Sequence, residues 1–323
     1  MIVKNLVKRV PLIGTLGASF VRRIRWLFLV WRVADYDDVR LLILAKRSPV
    51  GIFPGHKPTV GSQPGLPYFG TFLRSQQGDP RRHFFMQKTL EVACDPASDN
   101  GFVKMLEIGS WAGGSAITYG QHIKSQYAGR GLIVCVDSWQ PYFREIDTNK
   151  SGPYADMSLA TDKDRIFDLF LYNMKAAGLS DIVIPIKGLS KEVIPLLGEG
   201  FDYAFIDGSH YYEDVIQDLE MVAPLIKDGG VISGDDLEIQ LHEYAPGTLP
   251  DNRGEDCVNH PVTGQPFHPG VTQAVAEVFG EVSSWEGHWA MQKIAGEWRG
   301  IEMSFAPQDV IIPDHLDLPQ NLV

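Results

Sequence analysis

From about residue 83 to residue 235 short runs of almost purely apolar residues alternate with longer amphipathic stretches, and this rhythm limits the folds open to the chain more than any other feature. Val103–Ile108, Gly131–Asp137, Ile182–Lys187, Phe201–Asp207 and Gly230–Asp235 read as strands. The segments His83–Cys94, one from about Ser115, Arg165–Ala177, one around Lys191, and Tyr211–Ile226 read as helices between them. Strands without polar alternation are buried on both faces, which requires parallel pairing with helices covering each side. The expected class is therefore α/β, a doubly wound sheet, in which ligands bind beyond the carboxyl ends of the strands.

What precedes this rhythm is different in kind. Prolines and glycines recur from Pro49 to Pro80 and break both periodicities, which predicts a boundary near residue 80. Residues 1–34 carry seven basic residues and no acid, although the whole chain of 323 residues has a net charge of −11. Phe20, Ile24, Leu27, Phe28 and Trp31 share one helical stripe, with Arg22, Arg25 and Arg32 opposite. That amphipathic helix is expected to lie on the protein body or on a sister subunit of a homo-oligomer, with peripheral contact to an anionic membrane as the alternative. The charge-free run Val10–Val21 is too short to span a bilayer. An acidic chain lacks the basic footprint of general nucleic-acid binding. Cys94, Cys135 and Cys257 form neither a disulfide framework nor a zinc motif, so a reducing, cytoplasmic setting is expected.

The strand ends carry the chemistry. The first runs Glu107-x-Gly109-Ser110-Trp111-x-Gly113-Gly114-Ser115, where glycines admit a ligand close to the backbone. It departs from the dinucleotide pattern G-x-G-x-x-G by an acid and a tryptophan, a setting better suited to a cationic ligand than to a pyrophosphate. Asp137 closes the second strand, where a carboxylate can accept ribose hydroxyls. Asp207 and His210, three residues apart, can share one face, and Asp235-Asp236 arrives one helix and one strand later, beside them. Clustered carboxylates call for a cation, and oxygen ligands favour Mg²⁺, Mn²⁺ or Ca²⁺.

The Glu107–Ser115 turn, Val136-Asp137, Phe205-Ile206-Asp207-Gly208-Ser209-His210-x-Tyr212 and Gly229-Gly230-x-x-x-Gly234-Asp235-Asp236 resemble class I S-adenosylmethionine-dependent methyltransferases. More narrowly they resemble the metal-dependent sugar O-methyltransferases of the macrocin and mycinamicin type and cephalosporin-hydroxylase-like proteins, over about residues 83–305. The resemblance implies a Rossmann-like sheet of seven strands in residues 81–305, with an auxiliary or oligomerisation region at 1–80 and a tail at 306–323. It implies that Glu107, Gly109, Ser110, Trp111, Gly113, Ser115, Asp137, Ser138, Ser190 and Asp207 serve S-adenosylmethionine. Asp207, Asp235 and Asp236 would hold the divalent metal, with His210 as general base. The acceptor would be a small molecule or glycan with vicinal hydroxyls. A phenol acceptor, or a cofactor-binding scaffold without chemistry, are the alternatives. Two inserts, Ser138–Asp162 with Trp139, Tyr142, Phe143 and Tyr154, and Leu237–His268 with His242, Tyr244, Arg253, His260 and His268, are candidates for shaping the acceptor pocket. Cys257, His260 and His268 do not complete a tetrahedral zinc set.

Overall fold

The computed structural model describes residues 67, 78–97, 101–144, 157, 161, 164–244 and 254–316. The amphipathic stripe at residues 20–31, Tyr154 and Arg253 lie outside these. No described helix is long and apolar enough to cross a membrane.

Helix α1 (Arg82–Ala93) precedes strand β1 (Val103–Ile108), helix α2 (Gly114–Gln126), β2 (Gly131–Asp137), α3 (Arg165–Ala176), β3 (Val183–Lys187), the short α4 (Ser190–Val193), β4 (Phe201–Ile206), α5 (Tyr212–Val222) and β5 (Ile226–Gly234). After a two-stranded ribbon of β6 (Val258–Asn259) and β7 (Pro266–Phe267) come α6 (Pro269–Phe279), β8 (Ser283–Trp285), β9 (His288–Ile294) and β10 (Glu297–Gly300). The main sheet runs β10-β9-β5-β4-β1-β2-β3, with β8 also paired to β9. Strands β1 to β5 pair in parallel, whereas β8, β9 and β10 are joined by antiparallel ladders. The expected doubly wound, Rossmann-like sheet is present, with eight strands rather than seven. Chain order reverses between β1 and β4, which opens a crevice at their carboxyl ends.

Prolines end two of the helices, and α5 stops at Val222 where the sequence pattern ran to Ile226. Pro195 sits in the first turn of a 3₁₀ segment, Ile194–Leu196, that ends α4, and Pro224 does the same to α5 at Ala223–Leu225. A proline offers no N–H and cannot continue the ladder. The C-terminal segment is more than a tail. His315 Nε2 lies 3.0 Å from the Gly114 carbonyl and Leu316 is buried, so residues to 316 rest on α2.

One layer of the core is polar. Tyr203 Oη lies 2.7 Å from Thr89 Oγ1, 3.1 Å from Tyr119 Oη and 2.8 Å from Ser233 Oγ, and Thr89 Oγ1 reaches His288 Nε2 at 3.1 Å. His288 has no exposed surface, and burial together with the nearby Arg82 charge lowers its pKa to about 3. An unfolded histidine titrates near 6.5, so between these values the unfolded chain binds more protons and stability falls as pH falls. This one group should cost about 2 kcal/mol of stability on moving from pH 7 to pH 5. Denaturant midpoints at the two pH values measure it. His288→Gln should flatten the slope, and an unchanged slope in that variant would remove the assignment.

Candidate active site

The turn after β1 is held by carboxylates from below and from the side. Glu107 is completely buried and accepts hydrogen bonds from Ser110 Oγ (2.9 Å), from Ser115 Oγ and from Cys135 Sγ (3.0 Å). Burial raises its pKa. It is not among the residues lining the cleft, nor is Gly113, so their place is beneath the ligand surface. Asp137 accepts three backbone N–H groups, from Ser110 (2.9 Å), Trp111 (2.8 Å) and Trp139 (2.6 Å). Two carboxylate oxygens offer about four acceptor sites. One acceptor site is left over, where the sequence suggested a carboxylate free to take both hydroxyls of a ribose. Trp111 and Trp139 both take left-handed backbone angles, φ 43° and 46°, uncommon for bulky residues and concentrated at functional turns.

Beyond this turn lies an open cleft, with about 1420 Å³ of empty space when the adjoining open solvent is included. Gly109, Ser110, Trp111, Ser115, Asp137 and Ser138 line one part of it, and Ser190, Asp207, His210, Asp235 and Asp236 another. Trp111 Nε1 is buried in this lining without a hydrogen-bond partner among the described residues, a donor left over for a ligand. That orphan and the small-residue turn fit a nucleoside-type cofactor.

Trp139, Tyr142 and Phe143 of the first insert all line the cleft but are packed differently. Trp139 is enclosed by Phe167 and Phe170, ring centroids 4.5 and 5.0 Å away, and serves the core. Tyr142 and Phe143 line the cleft, with Tyr142 edge-on to His210 at 6.3 Å. In the second insert Tyr244, His260 and Phe267 contact one another in a small satellite cluster, while His242 is exposed.

At the floor of the cleft the ends of β4 and β5 meet. Asp207 N–H donates to the Ile108 carbonyl at 2.8 Å. His210 Nε2 lies 2.9 Å from Asp236 Oδ2, and its Nδ1 3.1 Å from Asp256 Oδ1. Burial alone would lower the His210 pKa, but Asp256 and Asp236 outweigh it and raise it well above the ordinary value. Asp236 takes a left-handed backbone, φ 63°. Asp235 does not join this group. Its carboxylate faces Arg82 from α1, 2.8 Å away, and Arg82 also reaches Asp236 and Glu238 at 3.0 Å each. Burial would lower the Arg82 pKa, but the three carboxylates hold the guanidinium charged well above its ordinary range.

The three-carboxylate set suggested by the sequence is therefore arranged differently. Among the described residues, three interlocking groups have ligand atoms within 4.8 Å of one another: Asp207 with His210 and Asp236; Asp236 with Glu238 and His268; and His210 with Asp256 and His268. None of these groups includes Cys257 or His260. Mixed carboxylate and imidazole donors fit a divalent ion. Sequence reasoning missed Arg82, Glu238 and Asp256 altogether, and considered His268 only for the acceptor pocket and a rejected zinc set. Asp218 was missed too. It lines the cleft beside Ser190, whose hydroxyl bonds to it, and burial raises its pKa to about 7. Its position four residues after Asp214 on α5 was a legible signal.

Residues 106–237 match a family model described as a methyltransferase domain. A relative from Acanthamoeba polyphaga mimivirus, "Uncharacterized protein R132", is 27% identical over 138 residues, 35% of this chain and 59% of that protein. The chain thus spans less than two thirds of that relative's length. Among solved structures, a putative O-methyltransferase from Klebsiella pneumoniae aligns at 15% identity over 85% of this chain and all of that one, with a TM-score of 0.43. CalS11, a calicheamicin methyltransferase, aligns at 13% identity over 87% of this chain and 94% of that one, with a TM-score of 0.42. Residues 106–237, which include strands β2 to β5 and most of the cleft lining at their ends, are thus similar to a methyltransferase domain.

Proposed function

We propose that the chain is an S-adenosylmethionine-dependent O-methyltransferase acting on a hydroxyl of a sugar-bearing or other polyhydroxylated acceptor, assisted by a divalent cation at the cleft floor. The observation that carries this reading is the placement of Asp207, His210 and Asp236 in the same cleft as the Gly109–Ser115 turn. When bound, the cofactor supplies an electrophilic methyl group. A divalent ion there supplies a Lewis acid that lowers the pKa of a hydroxyl near it.

The protein's part is positioning. Asp137 fixes the turn through three N–H groups and keeps one acceptor site for the ribose. Ser190 and Asp218 present a polar wall, and Tyr142 and Phe143 an aromatic one. Asp207 and Asp236 put carboxylate oxygens where an acceptor hydroxyl would approach. Both ring nitrogens of His210 face carboxylates. That arrangement favours a second reading, a phenol acceptor, whose lower pKa makes a protein base less necessary.

Calorimetry should show S-adenosylmethionine binding in the micromolar range, roughly −8 kcal/mol, without competition from NAD. Asp137→Ala should weaken it by about 1–3 kcal/mol, since the turn loses its charged acceptor. Unchanged affinity would remove Asp137 from the site. The acceptor class is tested by screening glycosides and catechols with cofactor and added Mg²⁺ or Mn²⁺, following methylated product by mass. Methylation of catechols alone would overturn the sugar reading, and full turnover after exhaustive chelation would overturn the cation.

A further inference from the structure

The acid and imidazole cluster has an internal order that separates ligands from their supports. Arg82 holds one oxygen of Asp236, Oδ1, and one of Glu238, Oε1. The other oxygen of each faces an imidazole: Asp236 Oδ2 faces His210 Nε2 at 2.9 Å, and Glu238 Oε2 faces His268 Nδ1 at 3.1 Å. Each histidine therefore has one nitrogen fixed by a carboxylate that a buried arginine pins in turn. Metal-bound histidines are oriented in this way, donating the spare ring N–H to a carboxylate while the other nitrogen ligates. The nitrogens left over are His210 Nδ1 and His268 Nε2. Asp256, whose side chain is 5% exposed, stands 3.1 Å from His210 Nδ1. Ligands at right angles around an ion, each about 2.1 Å from it, stand about 3 Å apart.

The backbone keeps these parts in register. His268 stands at the residue before α6, and Gly270 in the first turn of that helix lies so close to the 210–212 segment that a Cβ there would come within 2.2 Å of the His210 carbonyl oxygen. The rings of His210 and His268 are 4.5 Å apart at 62°. Asp235 has no place in the arrangement, being held by Arg82.

We propose that His210, His268 and Asp256 form a two-histidine, one-carboxylate site for a first-row transition ion, Mn²⁺, Fe²⁺, Co²⁺ or Zn²⁺, in preference to Mg²⁺ or Ca²⁺. Asp236 and Glu238 are the supports that set the two rings. This rests on reading the cluster as a cation site, and it makes His210 a ligand instead of a base. Imidazole donors favour these ions, whereas all-oxygen sets favour Mg²⁺ and Ca²⁺.

The test uses the full chain loaded with Mn²⁺. Electron spin-echo spectroscopy should show nitrogen couplings from two imidazoles, and His268→Asn should leave one. Glu238→Gln, which touches no ion in this arrangement, should weaken Mn²⁺ binding by about 10–100-fold through the loosened ring. Binding of S-adenosylmethionine in each variant reports that it is folded. Mn²⁺ bound without nitrogen couplings, or an unchanged two-nitrogen signal in His268→Asn, would overturn the site and place the ion on the strand-end carboxylates, leaving the methyltransferase reading standing. No Mn²⁺ binding by the wild-type protein would overturn both the site and the cation, while cofactor binding would still support the methyltransferase.

Discussion

Arg82→Met should destabilise the protein by about 3–5 kcal/mol, the range for removing one partner of a buried ion pair. The guanidinium side chain is 8% exposed and lies against Asp235, Asp236 and Glu238, with side-chain exposures of 6%, 17% and 16%. Methionine fills much of the volume but leaves these carboxylates without their countercharge. The protein has shaped backbone around this residue: Gly287 has φ +94°, and a Cβ there would come within 2.5 Å of Arg82 Nη2. Arg82 also donates from Nε to the Glu286 carbonyl at 2.5 Å, so Lys, a single point donor, should recover only part of the loss. Chemical denaturation of the two variants beside the wild type measures the effect. A loss of under about 1 kcal/mol in Arg82→Met would mean that the carboxylates relax into solvent and that the network is surface electrostatics.

Arg82 also shows where the sequence stopped being informative. The five parallel strands were legible because a strand buried on both faces is mostly apolar, as in Phe201–Ile206, where every residue is buried and Asp202 alone is charged. Strands β8 to β10 were not, because Ser283–Trp285 and Glu297–Gly300 are short, polar and partly exposed and have no helix between them to announce a crossover. At the site, Asp207 with His210 and Asp235 with Asp236 were visible as local spacings at strand ends. What each carboxylate faces was not. Arg82 meets Asp235 across 153 positions, and Asp256 meets His210 across 46. Such pairs are set by the register of α1 and of the loop before β6, and no periodicity encodes them. The same limit explains Asp137, which lines the cleft but whose oxygens the turn backbone largely occupies.

Gly109→Ala should abolish cofactor binding and destabilise the fold by more than about 3 kcal/mol, combining backbone strain with a backbone clash. Gly109 has φ +84°, and a Cβ built there would stand 1.8 Å from the Asp207 carbonyl oxygen and 2.6 Å from Gly208 Cα. No side-chain rotation relieves this, since both neighbours are main chain. β1 and β4 are paired up to Ile108 and Ile206, and the Asp207 N–H is bonded to the Ile108 carbonyl. The two strand ends would have to part, taking the turn and Asp207 with them. Gly129 is the control, because it has φ +72° and open space around its Cβ position. Gly129→Ala should cost only the left-handed backbone penalty of about 1–2 kcal/mol and leave cofactor affinity unchanged. Calorimetry with S-adenosylmethionine and urea denaturation of the pair separate the two contributions. If Gly109→Ala matched Gly129→Ala in both, glycine would be required there for its backbone angle alone, and the close approach of the two strand ends would not be what shapes the site.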